Sequence, residues 1–210
     1  MEAHQMGARE ADVAPAPDAV AGRTAGVWTP ANPAPLGLAG FALTTFVLSI
    51  FNAHLVGSAG SGVVLGLALA YGGLAQLLAG MWEFRTGNTF GAVAFSSYGA
   101  FWISYYFLAH TSPAPSAKGA AVYLYAWGIF TTYMFLASLR TTAAVALVFA
   151  LLAATFYLLA IGAAGDHINI TKVGGWVGIA TAIAAWYASF AQVINSTFGR
   201  TVLPLVPLSR

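Results

Sequence analysis

The chain has 210 residues, enough for one domain, of which 59% are hydrophobic and only 7% charged. About a quarter of the residues in a soluble domain are charged, so a water-soluble globule is excluded. A net charge of +2 from scattered arginines makes no patch for nucleic acid, and the absence of cysteine excludes thiol chemistry and disulfides.

Residues 1–30 are polar and rich in alanine and proline, without the apolar core of a cleaved signal, and are expected to form a mobile cytoplasmic tail. At Asn32 the character changes. The asparagine can accept a hydrogen bond from the open amides of a first helical turn, where Pro33 and Pro35 lose nothing by lacking an amide proton. Gly37 and Gly40 leave one side of that helix smooth for a neighbour.

Crossing about 30 Å of hydrocarbon takes about 20 apolar residues in a helix. Six runs qualify, at 36–56, 62–82, 90–109, 119–138, 142–163 and 173–195. Short breaks between them force successive helices to lie antiparallel and adjacent. The expected fold class is therefore an all-α integral membrane bundle of six helices, a domain spanning 31–198 followed by a cytoplasmic tail at 199–210. Between Leu36 and Phe198 the charged residues are Glu83, Arg85, Lys118, Arg140, Asp166 and Lys172, all in gaps between runs. That segregation suits a bilayer, whose centre penalises a charge by roughly 2.5–3.5 kcal/mol. With both ends on one side, Arg9, Arg23, Arg85, Arg140, Arg200 and Arg210 share that side, against Lys118 and Lys172. The positive-inside rule then makes both termini cytoplasmic. Trp82, Trp102, Trp127 and Trp176 suit the interfacial belts, and Trp186 reads as a packing residue. Small residues at four-residue steps, Gly62-Gly66-Ala70 and Gly174-Gly178-Ala182, predict close helix contacts.

Nothing here resembles an enzyme. A nucleophile with its base and orienting acid is missing, as are HExxH, a Walker loop and a dinucleotide fingerprint. No cofactor or metal is expected; His4 lies in the tail, while His54, His110 and His167 read as polar residues at helix ends. What remains is a polar lining. Thr45, Ser49 and Asn52 fall on one face of the first run, Ser97 and Ser104 on one face of the third, and Ser189, Gln192 and Asn195 on one face of the sixth, with Gln76 inside the second. Uncharged donors of this kind can hold a small carboxylate without trapping it. The competing reading is that serine and threonine bond their own helix or glue neighbours together; three aligned stripes favour a path. Glu83, seven residues from Gln76 and on its face, is either a proton carrier or one half of a rim ion pair with Arg85. Asn32 and Asn88 stand at helix starts, whose free amides favour an anion at the cytoplasmic mouth.

The string Asn32-Pro33-Ala34-Pro35-Leu36-Gly37-Leu38 resembles the signature of the acetate uptake transporter family, which holds bacterial acetate/succinate permeases and yeast ammonia/acetate outward-transport proteins. Three further blocks resemble it in order: Tyr71-Gly72-Gly73-Leu74-Ala75-Gln76 with Ala79-Gly80 and Glu83, Gly87 through Trp102, and Phe198-Gly199-Arg200-Thr201-Val202-Leu203-Pro204. The resemblance spans residues 31–204 and leaves the first 30 residues and 164–172 without a counterpart. It implies a multi-pass plasma-membrane permease or channel for acetate, with succinate as a further substrate and proton coupling as an option. Ammonium or ammonia export is the alternative. It also implies a homo-hexamer in the lipid bilayer with one channel per protomer. By the same resemblance Phe41, Tyr98 and Leu152 form an apolar constriction. At 1.5 Å per residue these lie about 9, 12 and 15 Å beyond their helix starts, so they can meet at similar depth.

Overall fold

The computed structural model describes residues 28–208; the expectations for residues 1–27 and Arg210, including His4, Arg9 and Arg23, lie outside this range. Apart from one isolated antiparallel bridge between Thr142 and Pro207, all described secondary structure is helical. The helices are α1 (Ala34–Asn52), α2 (Val63–Leu69), α3 (Gln76–Thr86), α4 (Thr89–His110), α5 (Ala117–Ser138), α6 (Ala143–Ala164) and α7 (Ile168–Phe198), with a short 3₁₀ turn at Ser58–Gly60. A π-helical segment, Ala70–Ala75, joins α2 to α3 into one rod. Five helical stretches are long and apolar enough to cross a membrane: Ala34–Asn52, Ser58–Thr86, Ala117–Ser138, Ala143–Ala164 and Ile168–Phe198. α4 matches them in length with 22 residues but is interspersed with serines, tyrosines and glycines.

Local chemistry sets the ends. Asn88, Ser116 and Thr142 each cap the amide three residues on, in α4, α5 and α6. Asn32 accepts from Ala34 N at 3.0 Å. Gly87 and Gly199 stop α3 and α7 at φ 76° and 62°, a conformation that disfavours a side chain. α1 ends at Asn52, four residues before the expected boundary, where His54 turns the chain at φ 58°.

The rods close into a ring. α1 packs on α7, α7 on α6 and α6 on α5; α5 touches α4, α4 lies on α3, and α3 with the π segment returns to α1. Glycines allow the close approaches. Gly40 faces the Tyr71 carbonyl oxygen of the π segment, and Gly72 of that segment faces Thr44. Gly174 and Gly178 meet Leu159 and Ser49, as their spacing predicts. Gly62 and Gly66 meet nothing within 4 Å, so their spacing marks no contact inside the chain. Trp102 and Trp127 are also corrected. They pack among Tyr98, Phe101 and Tyr123 in the aromatic core, because the inner faces of α4 and α5 carry them inward.

The segment after α7 folds back onto the bundle. The Asn195 carboxamide accepts from Val202 N and Leu203 N and donates to Leu203 O, at 2.7, 3.0 and 2.8 Å. Tyr187 donates to Pro204 O at 2.6 Å. The Val206 and Leu205 carbonyls then accept from Ala143 N and Ala144 N, the first amides of α6. Asn195→Ala therefore strips three hydrogen bonds at once. A loss of about 2 kcal/mol is expected, read as a lower thermal midpoint in detergent together with faster proteolytic trimming of the C-terminus.

Candidate functional site

Chain order places Asn32, Arg85, Asn88, Arg140 and Arg200 at one end of the ring, with the described tails, and His54, His110, Lys118, His167 and Lys172 at the other. Three cavities follow one another between these ends. At the tail end a cavity of about 190 Å³ is lined by Ala34, Asn88, Thr142, Gln192 and Leu205, among others. A small one of about 20 Å³ lies at mid-depth against Phe41, Gln76, Tyr98 and Leu152. A third, of about 230 Å³, opens toward the histidine end along Thr45, Ser49, Asn52, Trp102 and Thr155. Neighbouring cavities share walls: Leu38, Ala94, Phe95 and Phe149 between the first and second, Phe41 and Leu152 between the second and third. A cavity needs about 10–15 Å³ to hold one water. The middle one is therefore a neck with room for a single water.

The structure brings Phe41, Tyr98 and Leu152 together at this neck, each buried. The Phe41 and Tyr98 ring centroids are 5.9 Å apart. The Tyr98 hydroxyl is committed elsewhere. It lies 2.9 Å from Thr131 Oγ1, whose single proton goes to Trp127 O at 2.7 Å. Tyr98 must then be the donor, so its ring, rather than a free hydroxyl, faces the neck. Gln76 is 1% exposed, and its Oε1 has no partner among the described residues. The π turn just before it shifts the register of the rod, and such turns recur at functional sites.

Among the described residues no charged side chain lines any of the three cavities. Thr45, Ser49 and Asn52 do line the histidine-end cavity together, on the face their spacing predicts. Ser97 and Ser104 do not join them. Ser104 donates to Phe101 O at 2.8 Å and meets Tyr123 OH at 2.6 Å, so it ties α4 to α5; Ser97 lines none of the cavities. Their seven-residue spacing puts them on a common face, but the cavity face of α4 is the one that carries Ala94, Tyr98, Trp102 and Tyr105. Asn32 lines a separate lateral groove with Pro35, Tyr71 and Ser189, and its amide donates to Gln192 Oε1 at 2.9 Å. Asn32 thus fastens the start of α1 to α7.

Of the two sequence readings of Glu83, the rim ion pair with Arg85 is the one its location contradicts. It is 1% exposed, not at a rim, and it makes no ion pair with Arg85. Its Oε2 accepts from Thr86 Oγ1 at 3.1 Å and Asn88 Nδ2 at 3.0 Å, while Arg85 donates to Trp28 O at 3.4 Å. The carboxyl group lies against Gly91, in the first turn of α4. The positive end of α4 therefore already has an internal carboxyl group beside it. Glu83 lines none of the three cavities.

The pattern of the GPR1/FUN34/yaaH family matches residues 23–210. The chain is 42% identical over 180 residues to the succinate-acetate/proton symporter SatP of Escherichia coli strain K12, covering 83% of this chain and 95% of that one. It is 43% identical to the ammonia transport outward protein 2 of Saccharomyces cerevisiae, covering 78% of this chain and 61% of the yeast one. Among solved structures it is similar to the bacterial acetate channel SatP, with a TM-score of 0.81, 41% identity, and coverage of 84% and 99% of the two chains.

Proposed function

The chain belongs to the GPR1/FUN34/yaaH family, and from that premise we propose that it is a membrane permease or channel passing acetate, with succinate as a larger substrate. The observation that carries this reading is the uncharged series of cavities meeting at an aromatic neck. A small monocarboxylate has a methyl group for the Phe41 and Leu152 wall and a carboxylate for the hydroxyls and amides on either side. Neutral donors hold that carboxylate weakly enough for it to leave. An apolar ring too narrow for more than one water sheds water when empty and so gates the path.

In this reading all six rods span the bilayer, α4 included, because its polar and aromatic residues face the bundle interior instead of lipid. Both termini are cytoplasmic, since Arg85, Arg140 and Arg200 share the tail end. Each protomer carries its own path within a homo-hexamer in the plasma membrane. Gln76, Asn88 and Gln192 line the path from the neck to the cytoplasm, and Thr45, Ser49 and Asn52 line its outer half. Glu83 holds the start of α4 in place without meeting the substrate.

Export of ammonium or ammonia is the second reading, favoured by the similarity to the yeast protein. No lining carboxylate waits for a cation, which favours the carboxylate anion. The test is uptake into proteoliposomes of acetate, formate, propionate, succinate and ammonium, with and without an imposed pH gradient. Saturable uptake of acetate ahead of ammonium is expected. Ammonium flux with no carboxylate flux would reverse the assignment.

A further inference from the structure

The tail-end cavity has one wall that no rod supplies. Leu205 lines it, and Leu205 belongs to the segment that returns after α7. That segment starts from a fixed point, since the Asn195 carboxamide holds Val202 and Leu203. It then crosses to the start of α6, where Pro207 stands opposite Thr142. Three backbone bonds tie it there. Leu205 O and Val206 O accept from Ala144 N and Ala143 N at 3.4 and 2.8 Å, and Leu208 N donates to Thr141 O at 2.9 Å. Beside these ties the Leu205 side chain enters the ring and packs on the buried cluster of Leu38, Phe95 and Ala188, from α1, α4 and α7. Leu38 and Phe95 are also walls shared with the neck.

The ties at α6 are of a kind that can be undone. Val206 is held at φ 54°, a left-handed conformation that strains a β-branched residue, and such strain gathers at switch segments. Pro204 and Pro207 have no amide with which to extend the pairing. Pro204 and residues 206–208 are exposed, so backbone groups released there meet water instead of apolar core. Opening therefore breaks three bonds at a wet surface and withdraws one half-buried leucine. Every other residue lining this cavity lies in a helix or within two residues of its start, so Leu205 is the part of the wall with freedom to move.

We propose that residues 202–208 form a second gate at the cytoplasmic mouth, with Leu205 as its stopper. A carboxylate passes between the tail-end cavity and the cytoplasm when Leu205 swings out about the Asn195 anchor. The inference rests on the acetate reading above and deepens it by placing a second barrier in series with the neck. With Leu205 seated, the cavity is a chamber of about 190 Å³ between two apolar barriers. An apolar side chain at a narrow mouth opposes a charged solute as the neck does. With Leu205 withdrawn, the amides of Asn88 and Gln192, which line the same cavity, are open to an arriving carboxylate.

The chain has no cysteine, so one introduced pair can lock the gate. The bonds from Ala143 N and Leu208 N flank Thr142 and Pro207 and make them a non-hydrogen-bonded antiparallel pair, the arrangement with the closer Cα atoms. Thr142→Cys combined with Pro207→Cys is assayed in proteoliposomes when oxidised and again after reduction, so that each preparation is its own reference. Acetate flux in the oxidised form is expected to lie about tenfold below that of the reduced form. Adding Leu205→Ala to the locked pair removes the stopper without freeing the segment, and should bring flux to within about twofold of the reduced pair. A segment that merely braces the bundle predicts no such recovery. Equal flux in the two redox forms, with the disulfide verified by mass, would overturn the gate. Low flux in the locked form that Leu205→Ala leaves low would overturn Leu205 as the stopper. Absence of any acetate flux in the wild-type protein would instead sink the functional reading on which the gate rests.

Discussion

Replacing Gly175 with valine is expected to leave little folded protein. Gly175 lies on α7 where that helix crosses the end of α1. A Cβ there would stand 2.6 Å from the Asn52 carbonyl carbon and 2.7 Å from Ala53 Cα, and closer still to Ala53 N. All three are backbone atoms, so no rotamer change relieves the clash and the two helices must separate. Overpacking typically costs 1–3 kcal/mol where side chains can yield; here about 3 kcal/mol or more is expected, already with alanine. The consequence is large because α1 and α7 meet along most of their length, through Gly178 against Ser49 and Ser189 donating to Pro35 O at 2.7 Å. Gly66→Ala serves as the control, since nothing stands within 4 Å of its added Cβ. It should be neutral or stabilising by about 0.5 kcal/mol. Thermal midpoints in detergent, read by the monodisperse fraction after heating, check both. Equal midpoints for Gly175→Ala and Gly66→Ala would mean that α1 and α7 do not pack as described.

The apolar runs were legible because bilayer thickness sets a minimum length and leaves few other uses for 20 apolar residues. Their ends were less so. α7 begins at Ile168, five residues before the expected start, since Asn169 and Lys172 are tolerated in a first helical turn at a membrane surface. The π segment had no local signal. Gly72 and Gly73 read as ordinary small residues, and only the packing of Tyr71 O on Gly40 and of Thr44 on Gly72 shows why the backbone widens there. The fold-back of residues 202–208 was equally silent, because its partners, Asn195 and the first amides of α6, are distant in sequence.

The site was legible in proportion to how far a face, as opposed to its direction, decided the matter. Spacing put Thr45, Ser49 and Asn52 on one side of α1, and that side does face a cavity. The same logic applied to Ser97 and Ser104 put them together but said nothing of where they pointed, and Ser104 serves the α4–α5 contact. Trp102 shows the converse. A tryptophan near the end of an apolar run reads as an interfacial anchor; only its burial beside the histidine-end cavity shows that it points inward. For Glu83 the choice between a rim and an interior acid stayed open because it depends on the neighbour over it, here Asn88 at the start of the next helix.

Shortening Phe41 to alanine should make the path less selective before it makes it faster. Phe41 lines both the neck and the outer cavity, is 5% exposed, and lies against the Tyr98 ring. Tyr98 is held by Thr131 and by edge contacts with Phe130, centroids 5.4 Å apart, so it cannot swing in to refill the gap. The vacated volume therefore joins the neck to the outer cavity. A hydrophobic wall distinguishes one methylene by about 10-fold or more, so the ratio of acetate to butyrate flux should fall about tenfold in Phe41→Ala. Truncating a buried phenylalanine costs about 3–5 kcal/mol, which makes Phe41→Leu the necessary companion, expected to show an intermediate ratio with better stability. Leu152→Ala opens the same wall from α6 and should shift the ratio in the same direction. The comparison uses flux ratios within each preparation, so that partial loss of protein cancels. If folded Phe41→Leu and Leu152→Ala proteins both keep the wild-type acetate-to-butyrate ratio, selection occurs elsewhere, and the neck only closes the path.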